Sequence, residues 1–354
     1  MSAPEPFAVQ REIEEFQARA ARGLARLAQM PTPAVATTPR EAVLVDGKVT
    51  LYRYAAQAKP RRPPLLIVYA LVNRPTVLDL QPDRSLIRRL VERGHEVYLL
   101  DWGYPDRGDR QLGLADYVLG YLHRAVLHVT GGSGALDLLG VCQGGTLSLL
   151  YAALEPRRIR RLVTMVTPVD FQTADNMLSS WVRGIDVDAL VAAFGNVPGE
   201  LLNYTFLSLM PFRLTMQKYL AIADDADEPD KLANFLRMEQ WIGDSPDQAG
   251  RAFGEFLRWF YQQNRLVAGR VELEGRPVDL ARLSMPVLNV YASADHLVPP
   301  SASRALAELV PQARYDELVF DGGHIGIYVS SRAHTVPAEI SRWLAGRVRK
   351  SAGG

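Results

Sequence analysis

Gly140-Val141-Cys142-Gln143-Gly144-Gly145 decides the fold. The apolar run Leu136-Asp137-Leu138-Leu139 before it reads as a buried strand, and Thr146 to Leu154 after it reads as a helix. Strand, Gly-flanked turn and helix are the setting of a nucleophile elbow, G-x-S-x-G, here with cysteine in place of serine. Gly140 and Gly144 leave room for a sharp turn that holds a side chain outward at the top of a sheet. Cys142 is the one cysteine of the chain. A cysteine after a strand is usually an inert filler, but in G-x-C-x-G-G it is a candidate nucleophile.

Around this stretch the chain alternates strands and helices. Strands are expected at 42–45, 49–54, 65–72, 97–101, 135–141, 162–166, 287–292 and 315–320, with helices at 85–93, 114–129 and 303–309. Continuous apolar strands alternating with helices imply a mainly parallel α/β sheet covered on both faces. The alternation stops after Val166. Residues 168–275 read as a helical cap or lid inserted between two sheet strands, rich in aromatics that form its own core or line a channel. The expected division is a helical extension over 1–41, an α/β core over 42–167 and 276–354, and the cap between. Val9, Ile13, Phe16, Ala20, Leu24 and Leu27 recur at helical spacing over 8–28. That helix is read first as packing on the core, with a partner- or surface-binding helix as the alternative. The tail Lys350–Gly354 is expected to fray.

An elbow nucleophile needs a base, and the base needs an orienting acid. On the α/β-hydrolase fold they follow in the order nucleophile, acid, histidine. Asp295 comes just past the strand 287–292, at the carboxyl edge where such sheets place chemistry. His324, in Asp321-Gly322-Gly323-His324-Ile325-Gly326, follows the last strand, and its two glycines allow a tight turn toward the elbow. The long gap from Cys142 to Asp295 suits an inserted cap, and the short gap to His324 suits one helix and one strand. As alternatives, Asp295 is a turn cap before Pro299 and Pro300, and His324 a structural turn residue. His296 is read either as a substrate or proton contact or as turn packing. His95, His123, His128 and His334 are read as structural. The oxyanion hole is expected from the backbone N–H of Gln143, at a helix N-terminus with unpaired donors, and from that of Val72 or Asn73. Asn73 also reads as a turn residue before Arg74-Pro75.

With 354 residues, 48% hydrophobic and 22% charged, the chain has the composition of a globular protein. A net charge of +1 argues against a nucleic-acid partner. The scarcity of lysine beside arginine reads as genome composition. A single cysteine excludes an internal disulfide and fits a reducing compartment. The longest apolar run, Leu65 to Val72, is far short of the roughly 18 residues of a membrane span. Met1-Ser2-Ala3-Pro4-Glu5-Pro6 lacks a secretory layout, so the expected location is the cytoplasm. No metal is expected.

Cysteine has a chemical consequence. Its acyl ester is a thioester, nearly isoenergetic with an acyl-CoA, so transfer from CoA to Cys142 is close to reversible and the acyl group stays activated. A hydroxyl acceptor then takes it downhill to an ester, and with a hydroxyacyl unit as acceptor a polyester grows. His324 first makes the thiolate and later deprotonates the hydroxyl. Water has to be excluded, which a cap can do.

Gly140 to Gly145, Leu100-Asp101-Trp102-Gly103, Val298-Pro299-Pro300 after Asp295-His296, and Gly322 to Gly326 together resemble the polyhydroxyalkanoate synthases. The likeness runs from about residue 42 onward and is nearest to the class III catalytic subunit. It implies an α/β-hydrolase fold with a cap and a Cys142–His324–Asp295 triad. The implied substrate is a short-chain (R)-3-hydroxyacyl-CoA such as 3-hydroxybutyryl-CoA, with coenzyme A a released product and no cofactor besides. It further implies a second, non-catalytic synthase subunit, a homo-oligomer of the dimer type, and residence on polymer inclusions. In that family the aspartate is often assigned to activating the hydroxyl, which leaves the role of Asp295 open. The long N-terminal domain of the one-subunit classes is missing here, and class IV is a near neighbour. The competing readings are a cysteine thioesterase or esterase on the same scaffold and a non-catalytic granule scaffold.

Overall fold

The computed structural model describes residues 6–56 and 62–346. The expectations for Met1–Glu5 and for the tail Lys350–Gly354 lie outside them. Among the described residues the main sheet has eight strands. They are β1 (Glu41–Asp46), β2 (Val49–Tyr54), β3 (Leu65–Val68), β4 (Val97–Asp101), β5 (Leu136–Val141), β6 (Ile159–Met165), β7 (Val287–Ala292) and β8 (Tyr315–Phe320). Their order across the sheet is β1-β2-β4-β3-β5-β6-β7-β8. β2 runs antiparallel to β1 and β4, and all other neighbours are parallel.

The pleat explains the unbroken apolar strands. Leu65 and Ile67 face one layer, with Ile87 and Leu90 of α2 (Leu86–Glu92) and Ile340 and Trp343 of the helix Thr335–Leu344. Leu66 and Val68 face the other, with Val126 of α3 (His123–Thr130) and Leu147 and Leu150 of α4 (Gln143–Leu154). A strand covered on both faces has no polar side to alternate with. In register, Val68 pairs with Gly140 and Ala292 with Phe320. The loops after β3, β5, β7 and β8 therefore leave from one carboxyl edge, where an open α/β sheet binds its ligands.

The strand expected over 162–166 begins at Ile159, the helix expected over 303–309 is two short helices, Pro300–Arg304 and Leu306–Leu309, and three further expectations change. The strand foreseen over 65–72 ends at Val68. Beyond it the backbone turns from the ladder to other partners: Trp102 Nε1 donates to the Tyr69 carbonyl at 2.9 Å, and Leu71 N–H donates to Gln143 Oε1 at 2.9 Å. The helix foreseen over 114–129 starts with π-helical turns at Asp116–Leu122 before α3. The N-terminal helix α1 (Pro6–Gln29) does not pack on the sheet core. It lies on the helix Lys218–Asp224, where Gly23 is buried against Ile222 and a Cβ would come 2.7 Å from Ile222 Cγ2. Arg26 there donates to the Ala226 carbonyl at 2.5 Å and pairs with Asp227 at 3.1 Å. Its apolar residues Phe7, Ile13 and Leu24 stay exposed.

Between β6 and β7 the chain is largely helical, with one two-stranded hairpin at Glu272–Leu273 and Arg276–Pro277. Its aromatics divide. Phe256 and Phe260 pack on Phe171 at 5.8 and 5.3 Å between ring centroids and join the core layer under α4. Tyr204 and Phe212 are exposed. Among the described residues no helix is long and apolar enough to cross a membrane.

Candidate active site

Cys142 sits between β5 and α4 with φ +53 and ψ −125. That conformation is costly for a side chain other than glycine and persists only when its surroundings impose it. Here they do. Cys142 N–H donates to the Met165 carbonyl at 2.8 Å, and its own carbonyl accepts from Gly145 N–H at 2.9 Å. Every residue of α4 is buried. A Cβ at Gly144 would strike the Val68 and Tyr69 carbonyls, and one at Gly145 would strike the Thr167 side chain. The glycines after the cysteine thus serve close approach of α4 to the end of β3. Gly144→Ala is expected to lower stability by about 2 kcal/mol or more, seen as a lower urea midpoint at unchanged slope.

Asp295 and His324 come together because the loops after β7 and β8 are zipped. Ser293 N–H donates to the Phe320 carbonyl and Ala294 N–H to the Gly322 carbonyl, both at 2.8 Å. Asp295 Oδ1 accepts from Leu297 N–H at 2.9 Å and Val298 N–H at 2.8 Å, and Oδ2 meets His324 Nδ1 at 2.7 Å. Both residues are 5% exposed. Burial alone would push the imidazole down, but Asp295 and the nearby Cys142 sulfur oppose it and hold His324 up at about 10. The three residues singled out in the sequence therefore share one site. The tyrosine hydroxyls beside them are pushed up: Tyr69 by burial and then Cys142, and Tyr328 by burial, then Tyr69 and Cys142.

His296 is half-buried beside this pair. Burial lowers its proton affinity, Asp295 raises it, and His324 and Arg213 lower it further. Arg213 belongs to the helical stretch between β6 and β7. The other histidines lie elsewhere. His95 Nε2 meets Arg62 at 2.8 Å and Ser341 Oγ at 2.9 Å, and His123 Nδ1 meets the Tyr151 hydroxyl at 3.0 Å. His128 lies in the last turn of α3, and His334 Nδ1 meets the Ser331 carbonyl at 2.7 Å.

Of the other foreseen residues, Val72 and Asn73 lie on the loop after β3 and Gln143 opens α4. The backbone N–H groups of Gln143, Val72 and Asn73 meet no acceptor among the described residues. Asn73 is buried with φ +57, and its Nδ2 donates to Asn203 Oδ1 at 3.4 Å. The loop is anchored to the sheet by Trp102 and by Arg74, which pairs with Asp101 at 2.6 Å. Trp241 and Gln248 of the insertion hold it from the far side, at the Arg74 and Leu71 carbonyls. Leu100-Asp101-Trp102-Gly103 thereby supplies the two residues, Asp101 and Trp102, that hold this loop to the sheet. Gln248 carried no signal, since nothing in its neighbourhood marks a residue that meets a loop far away in the chain. Among the described residues no cluster of His, Cys, Asp and Glu suits a metal ion.

Comparison with known proteins bears on what this site does. A family profile described as the alpha/beta hydrolase fold matches residues 63–331. The poly(3-hydroxyalkanoate) polymerase subunit PhaC of Allochromatium vinosum is 51% identical over 96% of this chain and 97% of its own length. The protein of that name from Thiocystis violacea is 49% identical over 96% and 97%. Among solved structures, a monoacylglycerol lipase of Paleococcus ferrophilus superposes with a TM-score of 0.52 at 17% identity, over 84% of this chain and 99% of that one. That last likeness is one of fold.

Proposed function

The chain belongs to the poly(3-hydroxyalkanoate) polymerase subunit PhaC family, and from that premise we propose that Cys142 carries the growing acyl chain as a thioester during polymerisation of short-chain (R)-3-hydroxyacyl-CoA. Polyester synthesis in this family is acyl transfer on an α/β-hydrolase fold. The observation that carries the finer reading is the buried Asp295–His324 pair, 2.7 Å apart, beside a cysteine held on a strained elbow.

His324 takes the proton from Cys142 Sγ, and the thiolate attacks the thioester carbonyl of the substrate. Charge collects on that oxygen, within reach of the Gln143 N–H and of Val72 or Asn73 N–H. Collapse breaks the bond to the coenzyme A sulfur, which leaves with the proton from His324. A hydroxyl of a second hydroxyacyl unit then gives its proton to His324 and attacks the Cys142 thioester, forming an ester and freeing the thiolate. No cofactor is needed beyond the coenzyme A that the substrate brings. Burial of Asp295 and His324 supports exclusion of water, which otherwise competes for the thioester. Residues 168–275 act as the cap in this reading, and His296 contacts substrate. The wider assignment is a cytoplasmic enzyme at polymer inclusions that works with a second, non-catalytic subunit and forms a dimer.

The test is to supply 3-hydroxybutyryl-CoA and follow thiol release together with product. Insoluble polyester is expected, and free 3-hydroxybutyrate alone would make the protein a hydrolase. Intact-mass analysis of enzyme quenched during turnover should find the acyl adduct on Cys142. Co-expression with a candidate second subunit should raise polymer accumulation, and equal accumulation without it would remove the two-subunit assignment.

A further inference from the structure

The loop after β3 is held at one residue by two glutamine side chains. Gln143 Oε1 accepts from Leu71 N–H at 2.9 Å, and Gln248 Nε2 donates to the Leu71 carbonyl at 3.0 Å. Gln248 itself has little freedom. It is 3% exposed, its Nε2 also donates to the Pro246 carbonyl at 3.0 Å, and its backbone pairs in both directions with Val197 at 2.8 and 2.9 Å. A trans peptide is planar, with its C=O and N–H pointing opposite ways. Fixing the Leu71 carbonyl on Gln248 therefore fixes the Val72 N–H, which belongs to the same peptide, in the opposite direction. That N–H meets no acceptor among the described residues. Gln143 ties the same residue to the elbow, and the Gln143 N–H also meets no acceptor among the described residues.

We propose that Gln248 is a positioning residue that aims the Val72 N–H as the second oxyanion donor, with the Gln143 side chain setting its spacing from the Gln143 N–H. This rests on the reading of Cys142 as the nucleophile, and it selects Val72 over Asn73. It also makes the donor pair depend on the inserted segment, because Gln248 is held there by Val197. An oxyanion donor matters only for attack on a carbonyl. Alkylation of the same sulfur passes through no oxyanion, which separates an aiming role from a merely structural one.

The experiment compares two reactions of Cys142 in the full chain: acylation by a p-nitrophenyl ester and alkylation by iodoacetamide. In Gln248→Met the side chain keeps its length and loses its donor. Acylation is expected to fall about 10²-fold, the effect of losing one such donor, while alkylation stays within about twofold. Gln143→Met keeps the backbone N–H, frees the other side of Leu71 and should give the same split, so the test survives if Gln248→Met does not fold. The double variant should lose no more acylation than either single one, because both act on one peptide. Equal falls in both reactions, no fall in either, or multiplying losses in the double variant would overturn the proposal. A wild-type chain labelled at Cys142 by neither reagent would refute the nucleophile itself.

Discussion

Cys142→Ala should reduce coenzyme A release from 3-hydroxybutyryl-CoA to background, a loss of about 10⁴-fold or more, as removal of a nucleophile does where catalytic groups act as a unit. The fold should survive, because the elbow is held by its backbone bonds to Met165 and within α4, which alanine keeps. Cys142→Ser is the sharper variant. Its hydroxyl stays protonated at neutral pH, so acylation slows, and the adduct it forms is an oxygen ester with no driving force left for passing the chain to another hydroxyl. Slow acylation without polymer is the expected outcome, read by thiol release and intact mass. Polymer growth in Cys142→Ala at even a hundredth of the wild-type rate would place the covalent chemistry elsewhere.

The elbow could be read from sequence because its logic is local. A strand, an outward side chain and a helix packed tightly on the sheet need glycine at fixed offsets, and Gly144 meets the Val68 and Tyr69 carbonyls as that geometry demands. Asp295 and His324 could be read because each follows a strand end, and parallel pairing of β7 with β8 makes such ends neighbours. β2, β4, β7 and β8 fall on the expected residues for the same reason. What stayed hidden depends on contacts distant in the chain. The apolar run to Val72 looks like strand throughout, yet the ladder ends at Val68 because Trp102 and Gln143 compete for the next backbone groups. The spacing in α1 predicted a core helix, but periodicity records a face and not its partner, and the helix lies on the insertion with Phe7 and Ile13 exposed. Gln248 was invisible because one bond to Leu71 leaves no pattern.

The second large effect is expected from Asp295→Asn. Asparagine can keep the bonds that Oδ1 accepts from Leu297 and Val298, so the loop should hold. Its amide replaces Oδ2 and donates to His324 Nδ1. The ring proton then moves to Nε2, and the nitrogen that should take the Cys142 proton is already occupied. Loss of the corresponding carboxylate in a serine triad costs about 10⁴-fold, and a loss of about 10³ to 10⁴ is expected here in single-turnover release of coenzyme A. The stability profile should change with it. In the wild-type chain the folded imidazole is raised from 6.5 to about 10. The folded state thus holds a proton that the unfolded chain gives up. That stabilisation is full below about pH 6.5 and is lost as pH rises toward 10. Without the carboxylate, only the Cys142 sulfur opposes the burial that pushes the imidazole down, and the decline in urea midpoint over that window should shrink. The two assignments of Asp295 separate at this point. If it orients His324, as the 2.7 Å bond to Nδ1 requires, the first acylation fails. If it only activates the incoming hydroxyl, the variant releases one equivalent of coenzyme A at the wild-type rate and then makes no polymer, and that burst would overturn the orienting role.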